Sequence, residues 1–182
     1  MNKLFIILII LIIIIYIQYY SKINVDTRIN QLNLSNINYN ILQEKYPIYI
    51  QDKIVDINNL IDKTFKYHYV YKYTNNVFDD NIKMNLSKYC VFWNNSEINK
   101  DIYISNPVNS SVLAFSKLTK NRNYLTSFDK EKNIEAIKII LKPYNILIIP
   151  YRWLFTCNNE LVNMFLFDRI NIIISKYKNL TV

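Results

Sequence analysis

The chain contains no glycine. This constrains its turns more than any other feature, because only glycine enters the left-handed backbone region without steric cost. Positions with positive φ are therefore expected to fall mostly to Asn and Asp, which tolerate that region best after glycine. The pairs Asn58-Asn59, Asn75-Asn76, Asn94-Asn95 and Asn158-Asn159 are the turn candidates. The same absence excludes whole function classes. A P-loop, a dinucleotide-binding fingerprint and a hydrolase nucleophile elbow all need glycine, for close backbone approach or for a tight turn.

The second constraint is the apolar run from Leu4 to Ile17, closed by Gln18, Tyr19 and Tyr20. As a helix, residues 4–20 span about 25 Å, slightly less than a bilayer core of about 30 Å. Tyrosines 16, 19 and 20 suit the headgroup zone. A secretory signal would need small residues at a cleavage site, and the stretch 17–22 offers none. A buried soluble helix would normally carry a polar face. The expectation is thus an uncleaved single-pass transmembrane anchor over residues 1–20, with a membrane localisation. Lys3 on one flank and Lys22 and Arg28 on the other leave orientation nearly balanced.

The rest of the 182-residue chain is long enough for one domain with a core. With 51% hydrophobic and 15% aromatic residues, it is not disordered. Residues 21–40 are polar and read as a tether, and residues 41–182 as a β-rich domain. Tyr46 to Ile50 reads as a strand start, with Pro47 at an edge. Asp56 caps a helix through Phe65 that buries Ile57, Leu60, Ile61 and Phe65. From Tyr67 to Tyr73 tyrosine alternates with other residues, the period of a strand. Further strands are expected at Tyr89–Trp93, Asp101–Ser105, Val112–Lys117, Ile134–Leu141, Ile146–Ile149, Leu161–Phe167 and Ile170–Ser175. This density of short strands suggests a mainly β sandwich or jelly roll with a few helices.

The net charge is +8. Its densest basic stretch, Lys117 to Lys142, is interleaved with Asp129, Glu131 and Glu135. Scattered charge with interleaved acids argues against nucleic acid as a partner and leaves room for an anionic surface such as lipid headgroups. The expected partners are a membrane and a protein. Cys90 and Cys157 cannot make a four-cysteine zinc site. They could pair in an oxidising lumen, or serve as two small buried hydrophobes. N-x-S/T sequons begin at Asn33, Asn85, Asn94, Asn109 and Asn179, and favour a luminal domain only weakly in so asparagine-rich a chain.

The segment Leu141-Lys142-Pro143-Tyr144-Asn145-Ile146-Leu147-Ile148-Ile149-Pro150-Tyr151-Arg152-Trp153 resembles the cupin-like domain of the JmjC superfamily, where a late strand commonly reads like LKPGDVLYIPPYWWH. Tyr46 to Ile50 loosely fits the family's entry segment. The composition resembles that of giant DNA viruses or another AT-rich source. The resemblance implies a jelly roll with Trp153 closing one end of its core. The family's turn glycine is replaced by Asn145, and the histidine that often follows the tryptophan by Leu154. Active members hold iron with a His-x-Asp/Glu pair and a distant histidine. The chain has one histidine, His68, with Val70 two residues on, so that triad cannot be assembled. His68 reads as a strand-surface residue, Asp79-Asp80 as an acidic turn rather than a metal pair, and Trp93 with Trp153 as packed core rather than a stacking cleft. No catalytic, cofactor-binding or metal-ligating residue is assigned and no cofactor is expected. The expected function is a non-catalytic, membrane-anchored structural or protein-interaction module, with a small membrane-anchored transferase as the alternative.

Overall fold

The computed structural model describes residues 3–22, 24, 26–65, 69–73, 79–109, 136–157, 161–168 and 170–172. The fold is mixed α/β, mostly β sheet with a few helices. Among the described residues, the helices α1 (Lys3–Ser21), α2 (Tyr39–Gln43) and α3 (Ile57–Thr64) accompany ten strands. The strands are β1 (Asn30–Leu32), β2 (Ile48–Ile50), β3 (Tyr69–Tyr73), β4 (Asp79–Met84), β5 (Tyr89–Trp93), β6 (Lys100–Ser105), β7 (Ile137–Leu141), β8 (Ile146–Pro150), β9 (Leu154–Cys157) and β10 (Val162–Phe167). They form a six-stranded sheet in the order β1-β2-β8-β5-β10-β3 and a four-stranded sheet in the order β4-β9-β6-β7. Pairing is antiparallel except between β1 and β2.

The period-two geometry of a strand sends successive side chains to opposite faces, and here both faces of the large sheet are buried. Tyr89 and Val91 of β5, Ile146 and Ile148 of β8, and Met164 and Leu166 of β10 pack with Leu42 of α2 and Ile57, Leu60 and Ile61 of α3. Their neighbours Cys90, Phe92, Leu147 and Ile149 meet Ile102, Ile104, Ile139, Leu141 and Phe155 of the small sheet. The order is therefore helices, large sheet, small sheet. The middle layer explains why β5 and β8 read as unbroken apolar runs rather than alternating ones. In α3 the Asp56 side chain accepts hydrogen bonds from the backbone N–H groups of Asn58 (3.0 Å) and Asn59 (3.3 Å), the N-cap that the sequence predicts.

The anchor expectation is corrected. Among the described residues no helix is long and apolar enough to cross a membrane. α1 (Lys3–Ser21) is 19 residues long, about 28 Å of helix against a bilayer core of about 30 Å. Its C-terminal end is also committed to the domain, where the Tyr16 hydroxyl donates to the Asp168 carboxylate. A transmembrane helix, a signal anchor and a single-pass localisation are not supported, although Leu4 to Ile15 are exposed apolar residues.

Other expectations change as well. Residues 21–40 include β1, which adds a parallel edge to β2, and the start of α2. Asp79 and Asp80 stand in β4, with Asp79 in register with Cys157 of β9, rather than in a turn. Residues 170–172 are helical, not strand. The strand expected at Val112–Lys117 lies outside the described residues.

The asparagine rule fails at the positions that test it. The positive φ values among the described residues belong to Lys45 (59°), Tyr144 (62°) and Arg152 (68°). Each is a position where glycine is usual. Lys45 follows the C-cap Glu44 of α2, the left-handed site that ends many helices. Tyr144 is third in the turn Lys142-Pro143-Tyr144-Asn145, closed by Asn145 N–H to Lys142 C=O at 3.1 Å. Arg152 is third in Pro150-Tyr151-Arg152-Trp153, closed by Trp153 N–H to Pro150 C=O at 3.4 Å. Both match the type II pattern, with positive φ at the third residue. The glycine-like position of this turn is therefore Tyr144 rather than Asn145.

Asparagine works instead through its side chain. The Asn85 amide donates to the carbonyls of Ile149 (3.1 Å) and Pro150 (2.9 Å), and its oxygen accepts from Ser87 N–H (3.0 Å) and Ser87 Oγ (2.5 Å). At the other end of β5 Asn94 repeats the device, donating to Ile98 and Leu141 and accepting from Ser96. Asn58-Asn59, expected as a turn, is the first turn of α3. Asn85 and Asn94 are each 0% exposed, so two of the sequons are closed to glycosylation in the folded chain.

Candidate functional site: a cation-lined hollow beside the β8–β9 turn

Four chain segments meet at the end of the molecule where β8 turns into β9. The turn is held by paired backbone hydrogen bonds to the β4–β5 corner, from Arg152 N–H to Asn85 C=O (2.7 Å) and from Asn85 N–H to Trp153 C=O (2.9 Å). Trp153 is 1% exposed and belongs to the core between the sheets. It thereby fixes the turn, and Tyr151 and Arg152 project beside it. The Lys45 ammonium donates to the Lys22 carbonyl at 3.1 Å, tying the end of α2 to the end of α1. The Asn106 amide donates to the carbonyls of Asn24 (3.4 Å) and Asp26 (3.2 Å) and pins the same strap from the other side.

These segments enclose two shallow hollows that share Lys45 and Tyr151. One is lined by Lys22, Asn24, Lys45, Pro107, Tyr151, Arg152 and Trp153. The other is bounded by Tyr39, Leu42, Gln43, Lys88, Tyr89 and Pro150 beside the shared pair. Their cavity volumes are about 10 and 40 Å³, which suits a small group at the mouth and excludes an enclosed cofactor. No carboxylate lines either one among the described residues.

The electrostatics follow from this convergence. Burial, together with the neighbouring charges of Lys22 and Lys88, lowers the Lys45 ammonium from its usual range to about 8. Lys88 is drawn toward Asp168 at 3.1 Å. Burial acts to raise the Asp168 carboxyl. The hydrogen bonds from Tyr16 and from Asn171 N–H, with the charge of Lys88, outweigh it and hold the carboxyl below its ordinary value. Burial first, then the Asp168 carboxylate, pushes the Tyr16 hydroxyl up. Tyr16, Lys88 and Asp168 thus form one network that fastens α1 beside the hollows.

The residues weighed from sequence do not gather here. His68 lies outside the described residues, as does most of the Lys117–Lys142 stretch. Cys90 and Cys157 form no disulfide. Burial pushes the Cys90 thiol up, which makes it a poor nucleophile. The Trp93 indole donates to the Ile54 carbonyl at 2.9 Å, a packing role. Leu154, where the family often has histidine, is buried against Ile82, Met84 and Tyr103. Among the described residues no group of three His, Cys, Asp or Glu side chains could hold a metal. Sequence reasoning missed Lys22, Lys45, Lys88 and Arg152 because no spacing links them. The only local signal was Lys45 directly after a helix end, where glycine is usual. No family model matches the chain, and no curated protein matches it.

Proposed function

We propose that the chain is a non-catalytic structural or protein-interaction module resembling a cupin-like domain that lacks the metal ligands. The strand order supports the fold part of this reading. Strands β3 to β10 divide four and four between the sheets, and the chain crosses between them at every step but β6 to β7. An eight-stranded, two-sheet jelly roll has this division. The Pro143-Tyr144 turn and the buried strand β8 supply the segment that resembles the family.

The observation that carries the non-catalytic part is the filling of the space between the sheets. Phe92, Ile102, Ile104, Leu147, Ile149, Trp153 and Phe155 occupy it, and none is more than 4% exposed. A metal enzyme on such a frame would need polar ligands and an open coordination position there. With one histidine in the whole chain, a two-histidine, one-carboxylate triad is out of reach. The test is anaerobic calorimetry of the full chain with Fe(II) and with 2-oxoglutarate, together with elemental analysis after chelation. No saturable heat and no retained metal are expected. A stoichiometric transition metal that survives chelation would overturn the reading.

A further inference from the structure

We propose that the hollows beside the β8–β9 turn are a binding site for a phosphate-bearing group, held by Lys22, Lys45 and Arg152 around Tyr151. The inference concerns a ligand and stands apart from the jelly-roll reading.

The first support is convergence. Three cations, from the end of α1, the end of α2 and the β8–β9 turn, line one hollow, and Lys88, paired with Asp168 at 3.1 Å, lines the adjoining one; no carboxylate is among the described lining residues of either. The charges of Lys22 and Lys88 act against that of Lys45, and an anion bound beside Lys45 would relieve that repulsion. The second support is independent of charge. Of the three residues held at positive φ, Lys45 and Arg152 are both in this lining. Such conformations cost about 1–3 kcal/mol each and persist at sites where the surrounding structure fixes them. In a chain without glycine each of these turns must carry a side chain, and at both positions it is a cationic one. The third support is size and donor type. The hollows are too small to enclose a nucleotide, yet they present ammonium and guanidinium donors, the groups that recognise phosphate oxygens.

The ligand chemistry has two sources, a soluble phosphate ester or a phospholipid headgroup, and the experiment separates them. The full chain is titrated with inorganic phosphate and with glycerol 3-phosphate by calorimetry. In parallel it is sedimented with phosphatidylcholine vesicles with and without phosphatidylglycerol. Saturable binding is expected in at least one arm. Heat with the soluble esters assigns the first source, and sedimentation confined to phosphatidylglycerol vesicles assigns the second. Lys45→Gln should weaken the productive arm about tenfold or more, the loss typical of one charge-assisted hydrogen bond. Lys63→Gln, at an exposed position in the last turn of α3, should leave it unchanged. Thermal unfolding of both variants checks that they fold. If Lys45→Gln does not fold, Lys22→Gln, at an exposed residue just after α1, replaces it, with the same loss expected. No saturable binding in either arm, or an equal loss with Lys63→Gln, would overturn the proposal.

Discussion

Replacing Asn85 by alanine should destabilise the protein by about 4 kcal/mol. The side chain is 0% exposed and makes hydrogen bonds to Ile149 C=O, Pro150 C=O, Ser87 N–H and Ser87 Oγ. Each such bond contributes about 1 kcal/mol net, and each buried partner left unsatisfied costs about 1–3 kcal/mol. The four bonds alone give about 4 kcal/mol. Orphaned carbonyls push that figure up, and water entering the vacated space pushes it down. The loss is a large share of a stability of about 5–15 kcal/mol. Asn94→Ala removes the same pattern of bonds, but its partner segment at Ile98 is 67% exposed, so water can replace part of it and about 2 kcal/mol is expected. Val55→Ala, at a side chain 72% exposed, should change stability by less than about 0.5 kcal/mol. The assay is equilibrium urea unfolding of the full chain, followed by tryptophan fluorescence and far-ultraviolet circular dichroism together. If Asn85→Ala falls within about 1 kcal/mol of the unsubstituted chain, the corner is not held by this amide, and the reasoning about buried asparagine fails.

Trp153→Ala should cost about 3–5 kcal/mol in the same assay, because an almost fully buried indole between the sheets is lost; an unchanged midpoint would mean that the side chain is not core. Tyr144→Gly should be close to neutral, since relief of the left-handed backbone offsets the loss of the Glu97 hydrogen bond and of Lys53 at 4.5 Å over the ring. Tyr144→Val, β-branched at the same φ, should lose about 1–2 kcal/mol more than the glycine variant. Asp168 adds a pH dependence of known sign. Its folded carboxyl is held below the ordinary value of 3.8, so its contribution is present above that value and is lost as pH falls through the lower folded one. Asp168→Asn should therefore lower the unfolding midpoint at neutral pH and flatten its decline in acid, as read by thermal melts across that range.

Much of the fold is legible in the chain because it depends on local rules. Period-two alternation and β-branched runs mark β5, β6, β8 and β10, and an Asp ahead of an apolar stripe marks α3. These signals survive because a strand or helix buries its apolar face whatever it packs against. Lys142-Pro143 likewise announces the turn before β8. The handling of the missing glycines was not legible. Sequence propensity assigns positive φ to asparagine, yet long-range hydrogen bonds and core packing place Lys45, Tyr144 and Arg152 there, because the geometry around each turn outweighs a preference of about 1–2 kcal/mol. Asn85 and Asn94 look like turn residues or glycan acceptors until β8 and β7 are laid beside them. The apolar run at the start is unmistakable in sequence, but only the docking of Tyr16 on Asp168 shows that its end belongs to the domain. By itself, then, the sequence determined the β-rich class, the positions of β2, β3, β5, β6, β7, β8 and β10 but not of β1, β4 or β9, and the exclusion of glycine-dependent and two-histidine chemistry. The tertiary structure decided the three-layer order and the site, because residues 22, 45, 88 and 152 become neighbours only when four distant segments close at one end of the sheets.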